Sequence, residues 1–304
     1  MAESPGTGGR LATAAAWWRA RLSRARRWSA DALIDLREWR AGTRDPLLPP
    51  RRKDLPSQAP AAGEHQVGRL RERAGLTPSS AVLDIGCGAG RVAAALTRYL
   101  DPARGSYEGF DIVPESIKWC SGAIGKRHPN FNFQVADLHN AQYNPKGSQR
   151  ADEYVFPYPD ESFDVALAAS LFTHLRPFEG QRYLAEASRV LRPGGRLIAT
   201  WFLINEEAEE LLAGGRARER GLQPPVKLAH SFTDERGNPF RSPHAEMPEH
   251  LVAIDEELIR GQYERAGLRV IEVLPGGWPG REDPASRMNQ DTVVAERPSS
   301  PHHL

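Results

Sequence analysis

Cysteine, lysine and long apolar runs are scarce in this 304-residue sequence. The two cysteines, Cys87 and Cys120, cannot build a disulfide framework, and both lie in apolar stretches. A small stapled secreted scaffold is excluded, and a reducing compartment is expected. No apolar run approaches the roughly 20 residues of a membrane-spanning helix; the longest, 165–172 and 197–204, have strand length. The first apolar patch, 11–18, is short, contains tryptophan and is followed by arginines, so it does not read as a signal peptide. The expected location is therefore the cytoplasm.

What is present is unevenly distributed. The net charge of +1 is the difference between residues 1–53, with twelve basic and five acidic side chains, and the rest, with 28 basic and 34 acidic. A chain-wide basic footprint is missing, so nucleic acid is not an expected partner. Four of the seven tryptophans (Trp17, Trp18, Trp28 and Trp39) sit in the first 40 residues. There Trp18, Leu22, Ala25, Ala32 or Leu33, and Leu36 recur at helical spacing among arginines. Such an arm either lies on anionic lipid as a peripheral contact at the inner membrane face or packs on the domain as a cover. Five prolines between 42 and 62 make that stretch a linker or a surface strap. Residues 1–62 thus read as arm and linker, and 63–304 as the main domain.

From Gly63 the pattern is α/β. Helices at 64–74, 92–100, 115–127, 178–191 and 255–266 alternate with short apolar strands at 81–85, 106–111, 132–136, 163–169 and 196–201, then 269–274 and 291–295. Strands this apolar are buried on both faces of a mostly parallel sheet, with helices on both sides. One excursion, 205–254, is too long to be mere connection. It leaves the C-terminal end of strand 196–201, where open α/β sheets bind ligands, and reads as a lid or substrate insertion.

The chemistry concentrates at strand ends. Asp84 closes the first strand and enters the turn Gly86-Cys87-Gly88-Ala89-Gly90, which opens a helix. Glycines there let backbone approach a ligand at a helix N-terminus. The dinucleotide spacing would need glycine at Arg91, and no Gly-Lys-Ser/Thr follows, so neither a Rossmann dinucleotide site nor a P-loop fits. A carboxylate at Asp84 repels a pyrophosphate and attracts an ammonium group. Asp111 ends the second strand, where it can accept from both hydroxyls of a ribose. A third acid, Asp137, ends the third strand before Leu138.

These residues resemble the class I S-adenosylmethionine-dependent methyltransferases, motif by motif over about 75–204. Asp84 to Gly90 looks like that family's first motif, and Leu191-Arg192-Pro193-Gly194-Gly195 like its turn into the fifth strand. The resemblance implies a Rossmann-like sheet of seven strands whose last is antiparallel, and S-adenosyl-L-methionine as cofactor. It also implies that Asp84 with Gly86, Cys87, Gly88 and Gly90 holds the methionine moiety, Asp111 the ribose, Ile112 the adenine face, and Asp137 with Leu138 the adenine edge. Ser170, ending the fourth strand, belongs to the same cofactor edge.

Methyl transfer from a sulfonium is an in-line displacement, so positioning can supply much of the rate. An alcohol acceptor also benefits from a base. The candidate is His174, in the run Ser170 to Leu175 past the fourth strand, with Tyr158 and Trp201 as candidate acceptor-pocket residues. The expected acceptor is a small molecule or a glycan, methylated on a hydroxyl oxygen because of His174. N-methylation of a small amine is the enzymatic alternative, and a non-catalytic adenosylmethionine-binding or membrane-adaptor protein the other. His230, His244 and His250 lack helical HxxxH spacing, and no metal site is expected.

Overall fold

The computed structural model describes residues 31–51, 60–141, 143–214, 227–281 and 289–299. Trp17, Trp18 and Trp28, with most of the arginine-rich arm, lie outside them. The described chain opens on helix α1 over residues 31–40, followed by α2 (Pro60–Ala74), β1 (Ala81–Ile85), α3 (Arg91–Leu96), β2 (Ser106–Asp111), α4 (Pro114–Cys120) and β3 (Phe131–Val135). Next come β4 (Phe163–Ala168), α5 (Pro177–Val190) and β5 (Leu191–Trp201). The remainder is β6 (Leu203–Ile204), α6 (Glu206–Gly214), the hairpin β7 (His230–Thr233) and β8 (Pro239–Ser242), β9 (Ile254–Asp255), α7 (Glu256–Arg265), β10 (Arg269–Leu274) and β11 (Asp291–Glu296).

Seven strands form one sheet in the order β10-β11-β5-β4-β1-β2-β3. β1 pairs in parallel with both β2 and β4, so the strand order reverses there, and β11 runs antiparallel between β5 and β10. The Rossmann-like methyltransferase architecture expected from the sequence is the one observed.

Alternation along the strands divides the core in two. Val82, Val165, Leu167, Ile198 and Val294 face α2 and α3, where Leu70 and Leu96 are fully buried. Leu83, Ile85, Ala166, Ala168, Leu197 and Ala199 face the other way, toward Leu184 of α5 and Tyr263 of α7. A strap precedes the sheet: Leu47 and Leu48 are buried with α2 and α3, and Trp119 donates from Nε1 to the Leu47 carbonyl (2.9 Å).

Element ends differ from expectation where local turns intervene. The helix expected to reach residue 127 stops at Cys120 and widens into a π turn, Ser121–Gly125. β5 begins five residues earlier than expected because Leu191 already pairs with Phe163 across a bulge.

The described parts of the excursion, residues 205–214 and 227–254, pack back on the body of the domain. Val252 N–H donates to the Thr173 carbonyl (2.8 Å), β9 pairs with β6, and Phe202, Ile204, Ala208, Ala253 and Trp278 share a small core. Asp234, ahead of the hairpin turn, accepts from Phe178 N–H (3.0 Å) in the first turn of α5, an N-terminal cap supplied by the insertion.

Candidate functional site

A cavity of about 390 Å³ opens at the C-terminal ends of β1, β2 and β4. Its first wall is the glycine turn. Gly86, Gly88 and Gly90 all have positive φ (77°, 53° and 83°), which glycine adopts without the Cβ penalty. A Cβ on Gly88 would project into open space, whereas one on Gly90 would come within 2.9 Å of Cys120 Sγ and of Ile124. Gly88 therefore leaves room beside the cavity, and Gly90 serves the packing of α3 against α4.

Asp111 anchors this wall. Its Oδ2 accepts from Gly88 N–H (2.8 Å) and its Oδ1 from Val113 N–H (2.9 Å). The carboxylate also lines the cavity, where it can accept further from a ligand. Burial raises its pKa, and the backbone donors oppose that rise. Gly86, Cys87, Gly88, Ile112, Leu138, Ser170 and His174 line the same cavity. Ser170 holds φ at 62°, fixed by N–H donation to Thr200 Oγ1 (2.6 Å) and by its hydroxyl on Gln290 Oε1 (2.9 Å).

Three residues of the expected cofactor set stand off the cavity wall. Asp84 is 2% exposed behind the glycine turn, where Tyr107 donates to its Oδ2 (2.8 Å) and burial pushes its carboxyl up to about 6. Gly90 packs as described above. Asp137 is exposed and accepts from the Ser148 hydroxyl.

Both expected acceptor-pocket aromatics prove to be core. Tyr158 is buried edge-on against Phe163, and its hydroxyl has no partner among the described residues. Trp201 is 1% exposed, stacked on Phe172 (4.2 Å between centroids), with Nε1 donating to the Tyr263 hydroxyl (3.1 Å). A place at the end of a strand does not say which face a side chain takes, and residue 201 faces inward.

The opposite wall comes from the start of α5 and from the insertion. His174 Nδ1 lies 3.0 Å from the Glu249 carbonyl oxygen. A carbonyl only accepts, so the proton sits on Nδ1 and Nε2 remains an acceptor. Burial lowers the imidazole pKa, helped by nearby His250, and keeps the ring neutral. Arg176 donates from Nε to Glu249 Oε1 (3.0 Å), and pairs through its other nitrogens with Glu249 and Glu235. Glu179 Oε2 accepts from Arg176 N–H (2.8 Å).

Arg176, Glu179, Glu235 and Glu249 all line the cavity, yet sequence reading did not single them out as site residues. Proline at the first position of α5 with an acid at the third was a readable signal for Glu179. Nothing local marked Glu235 or Glu249, which the insertion carries across some 60 to 70 residues of chain. No group of three metal-ligating side chains occurs among the described residues.

Burial, with Glu249 and Glu235 nearby, pushes the Glu179 carboxyl from 4.5 up to about 7. A raised folded-state pKa contributes stability below 4.5 that is lost as the pH rises through 7. Glu179→Gln should therefore match the parent Tm at pH 5 and exceed it at pH 8, by about 2–4 °C per kcal/mol relieved. Thermal scans at the two pH values measure this, and equal Tm values at both would refute it.

The family model described as methyltransferase domain matches residues 83–199. That span contains the glycine turn, Asp111, Ser170 and His174. Residues 83–199 carry a methyltransferase domain. The chain is 38% identical over 143 residues to phthiotriol/phenolphthiotriol dimycocerosates methyltransferase 1 of Mycobacterium ulcerans (strain Agy99), covering 45% of this chain and 44% of that protein. It is 34% identical over 119 residues to the fatty-acid O-methyltransferase of Mycolicibacterium smegmatis, covering 39% and 36% respectively. The chain thus spans less than half the length of these curated relatives. An S-adenosylmethionine-dependent methyltransferase structure from Mesorhizobium loti superposes with a TM-score of 0.50 at 12% identity, over 79% of this chain and all of that one, which shows the shared fold.

S-adenosylmethionine is the cofactor that this domain implies, and the residues present fit it. The lining holds five carboxylates (Asp111, Asp152, Glu179, Glu235 and Glu249) against three guanidiniums (Arg91, Arg150 and Arg176). That acidic excess complements a ligand with a sulfonium and an ammonium against one carboxylate.

Proposed function

We propose that this protein methylates a hydroxyl oxygen of a lipid-type small molecule with S-adenosylmethionine as donor. The observation that carries the reading is one cavity with Asp111 and the glycine turn on one wall and His174, held as the Nδ1–H tautomer, on another. The named relatives act on phthiotriol dimycocerosates and fatty acids, which favours a lipid-type acceptor over a glycan. Leu171, Leu175, Phe178 and Tyr183 in the lining suit an apolar acceptor.

S-adenosylmethionine, when bound, supplies an electrophilic methyl group on a sulfonium. Asp111 would accept from the ribose hydroxyls, and the Gly86–Gly88 backbone would lie along the methionine portion. Ile112 and Leu138 would pack on the adenine. His174 Nε2 would take the acceptor's hydroxyl proton as the new C–O bond forms, and the Glu249 carbonyl would stabilise the resulting imidazolium through Nδ1–H. Residues 205–254 would act as a lid that supplies this carbonyl.

Two measurements test the reading. Asp111→Ala should weaken S-adenosylhomocysteine binding by about 100-fold or more by calorimetry, the worth of two hydrogen bonds to a charged group; an unchanged Kd rejects the cofactor assignment. Methyl transfer from labelled cofactor should label the lipid-soluble fraction of cell extracts. Label confined to the sugar fraction would overturn the acceptor class, and no label in any fraction would overturn the activity.

A further inference from the structure

Helix α1 sorts its side chains by face. Asp35 turns inward, only 7% exposed, and its Oδ1 accepts from Arg51 N–H (3.1 Å); Glu38 is drawn to the same Arg51 (2.5 Å). Leu33, Ile34, Leu36 and Trp39 are exposed, Trp39 at 68%. These are four of the eight exposed large hydrophobic side chains among the described residues, gathered on one ten-residue helix. Arg37 and Arg40 are exposed with them, and neither forms an ion pair among the described residues. At 100° per residue, Leu33, Ile34, Leu36, Arg37 and Arg40 share one side of the helix, the exposed Trp39 flanks that side about 60° beyond Leu36, and Asp35 lies on the other.

Isolated surface leucines need no explanation, but an apolar stripe interleaved with arginines that form no ion pair among the described residues does. The helix is also held to the body. Leu47 and Leu48 are buried in the core, and Asp45 pairs with Arg98 (3.1 Å). The sequence ahead of α1 continues the same chemistry, with six arginines and one acid, Glu3, in residues 1–30.

We propose that the outward face of α1 docks on an anionic lipid surface. Leucine, isoleucine and tryptophan enter the boundary between headgroups and acyl chains, and Arg37 and Arg40 bind lipid phosphates. A nucleic acid would satisfy the arginines but leave the apolar stripe in water. This proposal is independent of the methyl-transfer reading, because it is measured without turnover.

The test is co-sedimentation of the full-length protein with phosphatidylcholine vesicles with and without phosphatidylglycerol. Two variants accompany it: Arg37→Glu with Arg40→Glu, and Leu33→Ser with Leu36→Ser and Trp39→Ser. Binding to the anionic vesicles should fall about tenfold or more in each variant, and also when phosphatidylglycerol is omitted. The far-ultraviolet circular dichroism spectrum and Tm should stay unchanged in both, as evidence of an intact fold. The proposal is overturned if the parent protein ignores anionic vesicles, or if both variants bind them as the parent does, which would move the contact to residues 1–30. It is also overturned if the serine variant turns a dimer into a monomer in sedimentation velocity, which would give the face to a second copy of the chain.

Discussion

Replacing His174 with alanine is expected to lower kcat by about two to four orders of magnitude while leaving the Kd for S-adenosylhomocysteine unchanged. The split follows from position. His174 lies on the wall built by α5 and the insertion, while the glycine turn and Asp111 stand on the other. The pH profile supplies an independent reading. The imidazole must be neutral to accept a proton, and burial holds its pKa below 6.5. Activity of the parent enzyme should therefore be level through neutral pH and fall only on the acid side of 6.5, and the alanine variant should lose that acid limb. Near-parental turnover of His174→Ala with an identified acceptor, at every pH, would remove His174 from the chemistry.

The largest stability effect is expected from Asp291→Ala. Asp291 is 2% exposed at the start of β11 and gathers four donors. Its Oδ1 accepts from Gly276 N–H (2.7 Å) and Arg281 (2.9 Å), and its Oδ2 from Leu203 N–H (2.8 Å) and Trp278 Nε1 (2.6 Å). Removing the carboxylate leaves three buried donors without their acceptor, and leaves the Arg281 guanidinium, whose side chain is only 5% exposed, with just Glu207 and the Gly276 carbonyl. Breaking a buried pair in this way costs about 3–5 kcal/mol, and Tm should fall by about 10 °C. Asp291→Asn keeps an acceptor while removing the charge, and should lose less. A Tm within about 1 °C of the parent for the alanine variant would show that water replaces the carboxylate, and would reject the hub.

The sheet was legible in the sequence because its signals are local. Each central strand is a short apolar run, and Asp84 with the glycine turn marks the first crossing to a helix. Asp111 was legible for the same reason: a strand end followed by a helix start leaves few roles for an acid. Side-chain direction was not legible. Trp201 and Tyr158 occupy plausible positions along the chain, but parity and packing turn both into the core. Asp84 illustrates the same limit, since Tyr107 of the neighbouring strand claims its carboxylate. The wall formed by Arg176, Glu179, Glu235 and Glu249 was hidden more deeply. Glu235 and Glu249 lie in a polar stretch without periodicity, and only folding brings them to the N-terminus of α5.

The Glu249 carbonyl has a consequence for how such a protein can change over generations. The group that fixes the tautomer of His174 belongs to the same stretch that brings Glu235 to the cavity, while Asp111 and the glycine turn belong to the sheet edge. Under the proposed function, exchanging that stretch between relatives would alter how the acceptor's proton is managed in a single event, with the donor wall inherited unchanged.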